Sequence, residues 1–200
     1  MNATRIKVNE IFLSLQGEGY NTGTVSVFVR LSGCNLRCAF CDTGHEAGTP
    51  MTPAEIIAAV NRYPQAPLIV LTGGEPSLHI SQDFISDLRL HTGKRIAIET
   101  NGTRPMPDGI DWVTLSPKTG FPGGDLLPCV LTRCDELKVV YCGQDLDQYG
   151  HITATHRFLQ PCWVDDPAQC ERNVRETVQA VLNHPEWRLS LQTHRMLGIR

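Results

Sequence analysis

Short apolar runs alternate with polar, glycine-rich loops along the whole chain. Runs rich in Val, Ile and Leu, some alternating strictly with polar residues and one wholly apolar, predict β-strands. The wholly apolar run 67–71 is typical of a parallel strand buried on both faces, whereas 25–31 alternates as a half-buried strand does. The predicted strands are 7–15, 25–31, 67–71, 94–99, 111–115, 135–141, 157–159 and 187–191.

Three segments carry helix-start signals instead. Thr52-Pro53-Ala54-Glu55 combines an N-cap residue, a proline at the first helical position and the glutamate of a capping box. A second helix is predicted over 81–91. A third begins at Asp166-Pro167 and continues to about Asn183.

The order of strand, polar loop and helix or short connection predicts an α/β fold with a mostly parallel, curved sheet. Polar clusters follow the strands at Gln16, Cys34, Thr72, Thr100, Ser116 and Gln160. In a βα barrel this is the edge that carries the active site. Three helices are too few for a complete eight-fold barrel, so we expect a partial, irregular (βα) barrel in a single domain, 1–200.

Composition narrows the class of protein. The chain has 200 residues, of which 41% are hydrophobic, and a formal net charge of −3. A chain of this length buries a sizeable core. Its slightly negative net charge does not favour binding to nucleic acid or to an anionic membrane. No apolar run reaches membrane-spanning length. The N-terminus lacks a signal-peptide core, so we expect a cytoplasmic protein with reduced thiols.

The densest chemical signal is the C-x3-C-x2-C motif formed by Cys34, Cys38 and Cys41. A cubane iron–sulfur cluster normally takes four thiolates, and three close cysteines leave one iron open for a small molecule. Zinc would need a second Cys/His pair at ligand spacing, which the chain lacks. A disulfide framework or three structural cysteines are the remaining alternatives. The flanking Gly33 and Asp42-Thr43 argue against chance.

Other loops are informative only in context. Gly17 lies in a glycine-rich turn that either approaches a ligand closely or is a plain turn. Arg30, at the end of a strand, either binds a carboxylate ligand or pairs with a protein carboxylate. Thr72-Gly73-Gly74-Glu75-Pro76 is either a ligand-facing loop or a generic strand–helix turn.

The cysteine motif with its flanks resembles the radical S-adenosylmethionine (SAM) enzymes. Taken together, the motifs are similar to those of the 7-carboxy-7-deazaguanine synthase family, from about residue 8 to the C-terminus. The segments that carry the resemblance are 12–19, 30–34, 41–43, 72–76, 99–100, 116–118, 160–161 and 187–194.

The resemblance implies a radical lyase that converts 6-carboxy-5,6,7,8-tetrahydropterin to 7-carboxy-7-deazaguanine and ammonia, in the biosynthesis of queuosine and related 7-deazapurines. It implies a [4Fe-4S] cluster, SAM used catalytically, and Mg²⁺. It further implies a homodimer reduced by a flavodoxin-type protein.

The resemblance also assigns residues by position. Cys34, Cys38 and Cys41 would hold the cluster, and Thr43 would ligate Mg²⁺. The expected SAM-binding residues are Phe40, Cys41, Asp42, Gly74, Ser116, Pro117, Lys118, Gln160, Pro161, Cys162 and Trp163. The expected substrate-binding residues are Leu15, Gln16, Gly17, Arg30, Thr72 and Arg200, the last through its C-terminal carboxylate.

Two other functions share part of this signal. A glycyl-radical-enzyme activase shares C-x3-C-x2-C but acts on a protein partner, and a non-catalytic zinc module would use the cysteines without chemistry. The later cysteines are spaced irregularly, which favours inert thiols over an auxiliary cluster. They are Cys129, Cys134, Cys142, Cys162 and Cys170, and they receive no role from the sequence.

Overall fold

The computed structural model describes residues 5–41 and 44–200, which form one nine-stranded sheet with helices outside it. Its spatial order is β3-β1-β2-β4-β5-β6-β7-β8-β9. The strands are β1 Ile6–Leu15, β2 Val25–Leu31, β3 Thr49–Met51, β4 Leu68–Gly73, β5 Arg95–Thr100, β6 Trp112–Leu115, β7 Arg133–Tyr141, β8 Thr153–Pro161 and β9 Arg188–Leu189.

The sheet is mostly parallel and open, which confirms the predicted partial barrel. Strand β1 runs antiparallel to both β2 and β3, whereas every pair from β2 to β9 is parallel. From β5 onward each strand lies beside its predecessor in the sequence. The carboxyl ends of seven parallel strands therefore meet at one edge, where ligands bind in folds of this kind.

The three predicted helices are present as α1 Pro53–Val60, α2 Gln82–Thr92 and α3 Pro167–Asn183. The capping box at Thr52 forms in both directions with Glu55. Ser81 caps α2 through the backbone N–H of Phe84, and Asp166 caps α3 through that of Ala168. The chain ends with a short helix, α4 Thr193–Leu197. No described helix is both long and apolar enough to span a membrane.

The core consists of three apolar clusters, two of which pack helices against the sheet. The largest packs α1 and α2 against β1, β2, β4 and β5, and a second packs α3 against β7 and β8. The third contains Phe12, Phe28, Leu68, Val70 and Ala97. Phe12 and Phe28 stack with ring centroids 5.1 Å apart. Both aromatic residues also line the cavity described below.

Several predicted boundaries were wrong. Residues 49–51, which lie outside every predicted strand, form the edge strand β3. Pro50 is tolerated there because an edge strand pairs on one side only, so not every backbone N–H has to donate to a neighbouring strand. Strand β8 begins at Thr153 rather than at residue 157. Strand β9 has only two residues rather than the predicted five, and the side chain of Ser190, which follows it, donates to Gln160 Oε1 at 2.9 Å.

Candidate active site

A cavity of about 490 Å³ opens at the carboxyl edge of the sheet. Loops that follow β2, β4, β5, β6 and β8 line it, together with the 15–18 segment and the C-terminal tail. The cavity is thus built from segments distant in the sequence that the parallel strands bring to one edge.

All three cysteines of the motif line this cavity. Among the described residues, no three Cys, His, Asp or Glu side chains converge as ligands of one metal ion. The three cysteines lie within residues 34–41, and a polynuclear cluster takes one cysteine on each iron. Burial raises the pKa of the Cys34 and Cys38 thiols, so iron must displace their protons when it binds.

The cysteine loop is fixed by the loop after β4. The backbone N–H of Gly74 donates to Leu31 O at 2.9 Å, and that of Glu75 donates to Gly33 O at 2.8 Å. A Cβ on Gly74 would lie 2.0 Å from Gly33 O, so only glycine allows the two backbones this approach. The glycines of the GGEP segment therefore hold the cysteine loop against β4.

Glu75 ties the same loop to β5. Its fully buried carboxylate accepts hydrogen bonds from Ser77 N at 3.0 Å, Thr100 Oγ1 at 2.7 Å and Asn101 N at 2.7 Å. These contacts account for the acidic residue of the GGEP segment as a structural anchor.

A second segment supports the cysteine loop from the other side. Gly123 O accepts from Arg37 N at 3.0 Å, and Pro122 O accepts from Ala39 N at 3.0 Å. The ring of Phe40 meets that of Phe121 edge-on, with centroids 4.7 Å apart. Sequence reasoning missed this support, which carries no motif.

Most of the predicted SAM-binding residues share the cavity with the cysteines. Lys118 Nζ donates to Ser116 Oγ at 2.6 Å and lies 5.7 Å from the Phe40 ring centroid, and burial lowers the pKa of this lysine. Pro117 and Cys162 do not line the cavity, and Asp42 lies outside the described residues. The residues that do line it are Phe40, Cys41, Gly74, Ser116, Lys118, Gln160, Pro161 and Trp163.

All six predicted substrate-binding residues line the cavity as well: Leu15, Gln16, Gly17, Arg30, Thr72 and Arg200. Arg30 is also paired with a protein carboxylate, since its Nε donates to Glu10 Oε1 at 2.9 Å. The pairing of Arg30 with a protein carboxylate is thus confirmed, whereas its binding of a ligand stays a prediction. The predicted magnesium ligand, Thr43, lies outside the described residues.

A buried ion cluster in the cavity was not predicted. Lys138 Nζ contacts Glu18 Oε2 and lies 3.2 Å from Glu99 Oε1. Glu99 also accepts from Thr72 Oγ1 at 3.0 Å and from Gln16 Nε2 at 3.3 Å. Burial opposes the charge on Glu18, but Lys138 outweighs it and lowers the pKa of Glu18 to about 2. One signal was available: Glu136 and Lys138 alternate with the apolar residues of a predicted strand, which places both charges on the inner face.

The C-terminal tail closes onto the 15–18 segment. Both the backbone N–H and the hydroxyl of Thr193 donate to Gly17 O, at 3.0 and 2.9 Å. Gln192 Nε2 donates to Glu18 Oε1 at 2.9 Å. A Cβ on Gly17 would lie 2.3 Å from His194 Nδ1, which shows how closely the tail approaches. His194 also lines the cavity.

Comparison with known proteins gives the class of this site. Residues 28–127 match the model of the radical SAM superfamily. The structure of QueE from Escherichia coli superposes with a TM-score of 0.74 at 28% identity, covering 94% of this chain and 93% of that one. Streptococcus suis SuiB shares the fold alone, with a TM-score of 0.52 at 11% identity, covering 81% of this chain and 47% of that chain. The fold and the cysteine site therefore define a radical SAM enzyme.

Curated relatives narrow the family. The 7-carboxy-7-deazaguanine synthase of Bacteroides thetaiotaomicron is 58% identical over 195 residues, covering 97% of this chain and 98% of that protein. The enzyme of the same name from Bordetella pertussis is 39% identical over 215 residues, covering 96% and 98%. The chain belongs to the 7-carboxy-7-deazaguanine synthase family. Its class uses a [4Fe-4S] cluster and SAM, and membership removes the activase and zinc-module alternatives.

Proposed function

We propose that this enzyme converts 6-carboxy-5,6,7,8-tetrahydropterin to 7-carboxy-7-deazaguanine with loss of ammonia, as a step towards queuosine or another 7-deazapurine. The observation that carries the proposal is that one cavity is lined both by the three cysteines, the proposed cysteine wall, and by Arg30, Thr72 and Gln16. A cofactor and a polar, carboxylated substrate can therefore meet there. We further propose that residues 1–200 act as one domain in the cytoplasm.

The cysteine wall is the proposed cofactor half. Cys34, Cys38 and Cys41 would hold the cluster, which with SAM supplies a 5′-deoxyadenosyl radical for hydrogen abstraction. Lys118 offers a half-buried ammonium for the SAM carboxylate, and Phe40 and Trp163 offer aromatic surface. Gly74, Ser116, Gln160 and Pro161 complete the proposed SAM wall. Pro117 and Cys162 do not line the cavity, so any part that they have in SAM binding is indirect.

A second group of lining residues forms the proposed substrate-binding part of the cavity. A pterin edge carries several hydrogen-bond donors and acceptors, and Leu15, Gln16, Gly17 and Thr72 present backbone and side-chain groups that match them. Arg30 donates its Nε–H to Glu10, and its other guanidinium N–H groups would donate to the substrate carboxylate. The C-terminal carboxylate of Arg200 would accept from the pterin.

Three further parts of the proposal concern cofactor use and partners. Mg²⁺ would bind the Thr43 hydroxyl and the substrate carboxylate, because this ion prefers hard oxygen ligands and retains waters. SAM would be used catalytically rather than consumed. The enzyme would act as a homodimer and receive electrons from a flavodoxin-type protein.

The test is product formation under anaerobic conditions. The enzyme is reconstituted with iron and sulfide, supplied with SAM, reductant, Mg²⁺ and the carboxylated pterin, and the product is identified by mass. We expect 7-carboxy-7-deazaguanine from the wild type and none from Cys38→Ala. Cys129→Ala is the matched control, since Cys129 lies outside the cavity, and it should retain activity. Cleavage of SAM with the pterin unchanged would refute the substrate assignment.

A further inference from the structure

Two cysteines outside the motif meet at the carboxyl ends of β7 and β8. The two strands are parallel, and their last register pair is Tyr141 with Pro161. Cys142 directly follows β7 in the sequence, and Cys162 directly follows β8. Neighbouring strands lie about 4.8 Å apart, within the Cα separation of roughly 4.4–6.8 Å that a disulfide spans. Continued by one residue, this register pairs Cys142 with Cys162, at a strand spacing that a disulfide can span.

The two thiols already interact. A hydrogen bond with Cys162 is the main reason that the pKa of Cys142 is raised, and burial adds to it. Such an interaction requires the side chains to face each other rather than diverge. Formation of a bond between the sulfur atoms then needs a side-chain rotation and no rearrangement of the sheet.

The surrounding contacts hold both backbones in place. Asn173 Nδ2 of α3 donates to Cys162 O at 2.7 Å, and Cys142 N donates to Gln144 Oε1 at 2.8 Å. Cys170, the third cysteine of this region, donates its thiol to Val164 O at 2.9 Å and accepts from Val164 N at 3.3 Å. Cys170 is thus committed to a local turn, whereas Cys142 faces Cys162.

Access differs between the two sulfurs. Cys142 is exposed and Cys162 is buried. An external oxidant therefore reaches Cys142 first, and Cys162 is placed to complete the reaction from inside. This is the arrangement of an attacking and a resolving thiol.

We propose that Cys142 and Cys162 are a reversible thiol–disulfide site that reacts with low-molecular-weight disulfides. Cys142 sulfur attacks one sulfur of the small disulfide, forms a mixed disulfide and releases one small thiol. Cys162 sulfur then attacks Cys142 sulfur and releases the second small thiol. The protein loses two electrons and two protons, and the small disulfide gains them as two thiols.

The site has a route to the cavity. Pro161 and Trp163 flank Cys162 in the sequence, and both line the cavity. A disulfide at Cys162 would restrain these two residues of the proposed SAM site and change the affinity of the enzyme for SAM. This consequence rests on the proposed function, whereas formation of the disulfide does not.

The experiment uses the anaerobic holoenzyme and oxidised glutathione. After blocking of remaining thiols and digestion, mass spectrometry should find the peptides of Cys142 and Cys162 joined, with separation by dithiothreitol. Because the pKa of Cys142 is raised, the rate should increase roughly tenfold per pH unit between pH 7 and 9. Cys142→Ser should abolish the linked peptide, and Cys129→Ser, the matched control, should leave it unchanged.

The two parts of the proposal have separate contradicting results. A stable glutathione adduct on Cys142 with Cys162 still reduced would overturn the disulfide site. A linked peptide without a change of about threefold or more in SAM affinity, measured by equilibrium dialysis, would retain the site and overturn its effect on the cavity. Loss of pterin turnover in the reduced enzyme would concern the proposed function alone.

Discussion

Arg30 and Glu10 lie on paired strands and form an ion pair at the cavity, with Arg30 Nε 2.9 Å from Glu10 Oε1. The second oxygen of Glu10 contacts the Arg200 guanidinium. Both guanidinium groups also lie over the Phe12 ring, at 5.7 and 4.7 Å from its centroid. Glu10 therefore fixes two arginines, from opposite ends of the chain, beside one another at the proposed carboxylate site.

We predict that Arg30→Lys lowers kcat/KM for the carboxylated pterin by about 10- to 100-fold. Lysine keeps the charge but loses the planar fork, and a charge-assisted hydrogen bond contributes about 1.5–3 kcal/mol. Arg133→Lys is the matched control, because Arg133 is exposed at the start of β7 and does not line the cavity. Steady-state kinetics with saturating SAM would measure both. Equal activity of the two variants would contradict the role of Arg30.

A second prediction concerns acid stability. The pKa of Glu18 is about 2 in the folded protein against an ordinary value of 4.5, because Lys138 favours its charged form. Its contribution is present above the unfolded pKa and is lost as the pH falls towards the folded pKa. Between pH 6 and pH 3 this loss is about 2 kcal/mol in the free energy of unfolding.

Glu18→Gln removes that pH-dependent contribution. Urea unfolding of the cluster-free chain at the two pH values would measure it without interference from acid-labile iron and sulfide. The wild type should lose about 2 kcal/mol more than Glu18→Gln over this interval. Parallel losses in the two proteins would mean that the Lys138 pair does not lower the pKa of Glu18.

A third prediction concerns the junction between β4 and the cysteine loop. Gly73 has φ of 118°, and a Cβ there would lie 2.1 Å from Leu31 O. Gly93 also has a positive φ, of 63°, but a Cβ there would meet no atom within 4 Å. Gly93→Ala should therefore cost about 1–2 kcal/mol of stability from backbone strain alone.

Gly73→Ala should cause the same kind of backbone strain and, in addition, displace β2, because the new Cβ would collide with Leu31 O. We expect its reconstituted iron and sulfide content to fall well below that of the wild type, while Gly93→Ala reconstitutes normally. Iron and acid-labile sulfide per chain are the measurements. Full cluster content in Gly73→Ala would show that the close approach is not needed for the cysteine loop.

A fourth prediction concerns Mg²⁺. Thr43→Val removes the proposed hydroxyl ligand while it keeps the size and branching of the side chain, and Thr43→Ser keeps the hydroxyl. Since Mg²⁺ depends on oxygen ligands, the valine variant should lose most of its stimulation by Mg²⁺ and the serine variant should keep it. Titration of turnover with Mg²⁺ would measure this. Unchanged stimulation in Thr43→Val would exclude Thr43 as a ligand.

The sequence was most informative where local chemistry determines structure. The capping box at Thr52 and the start of α3 at Asp166 form as predicted, because these caps depend on residues two or three positions apart. The cysteine motif was equally clear, since its three cysteines lie within eight positions. The apolar-rich runs of β2 and β4 marked their strands for the same reason.

Features that depend on distant residues were missed. The ion cluster requires Glu18, Glu99 and Lys138 from three separate segments, and only the folded sheet brings them together. Strand β3 depends on pairing with β1, and α4 has no side-chain N-cap, so neither has a local signal. The contact between Cys142 and Cys162 follows from the β7–β8 register, which the irregular cysteine spacing does not reveal.

The most direct test of the central claim is turnover with limiting SAM. The reconstituted enzyme is given reductant, Mg²⁺, excess 6-carboxytetrahydropterin and less SAM than enzyme, and 7-carboxy-7-deazaguanine is quantified with 5′-deoxyadenosine. The account predicts many equivalents of product per SAM with little 5′-deoxyadenosine released. Stoichiometric 5′-deoxyadenosine with unchanged pterin would contradict it.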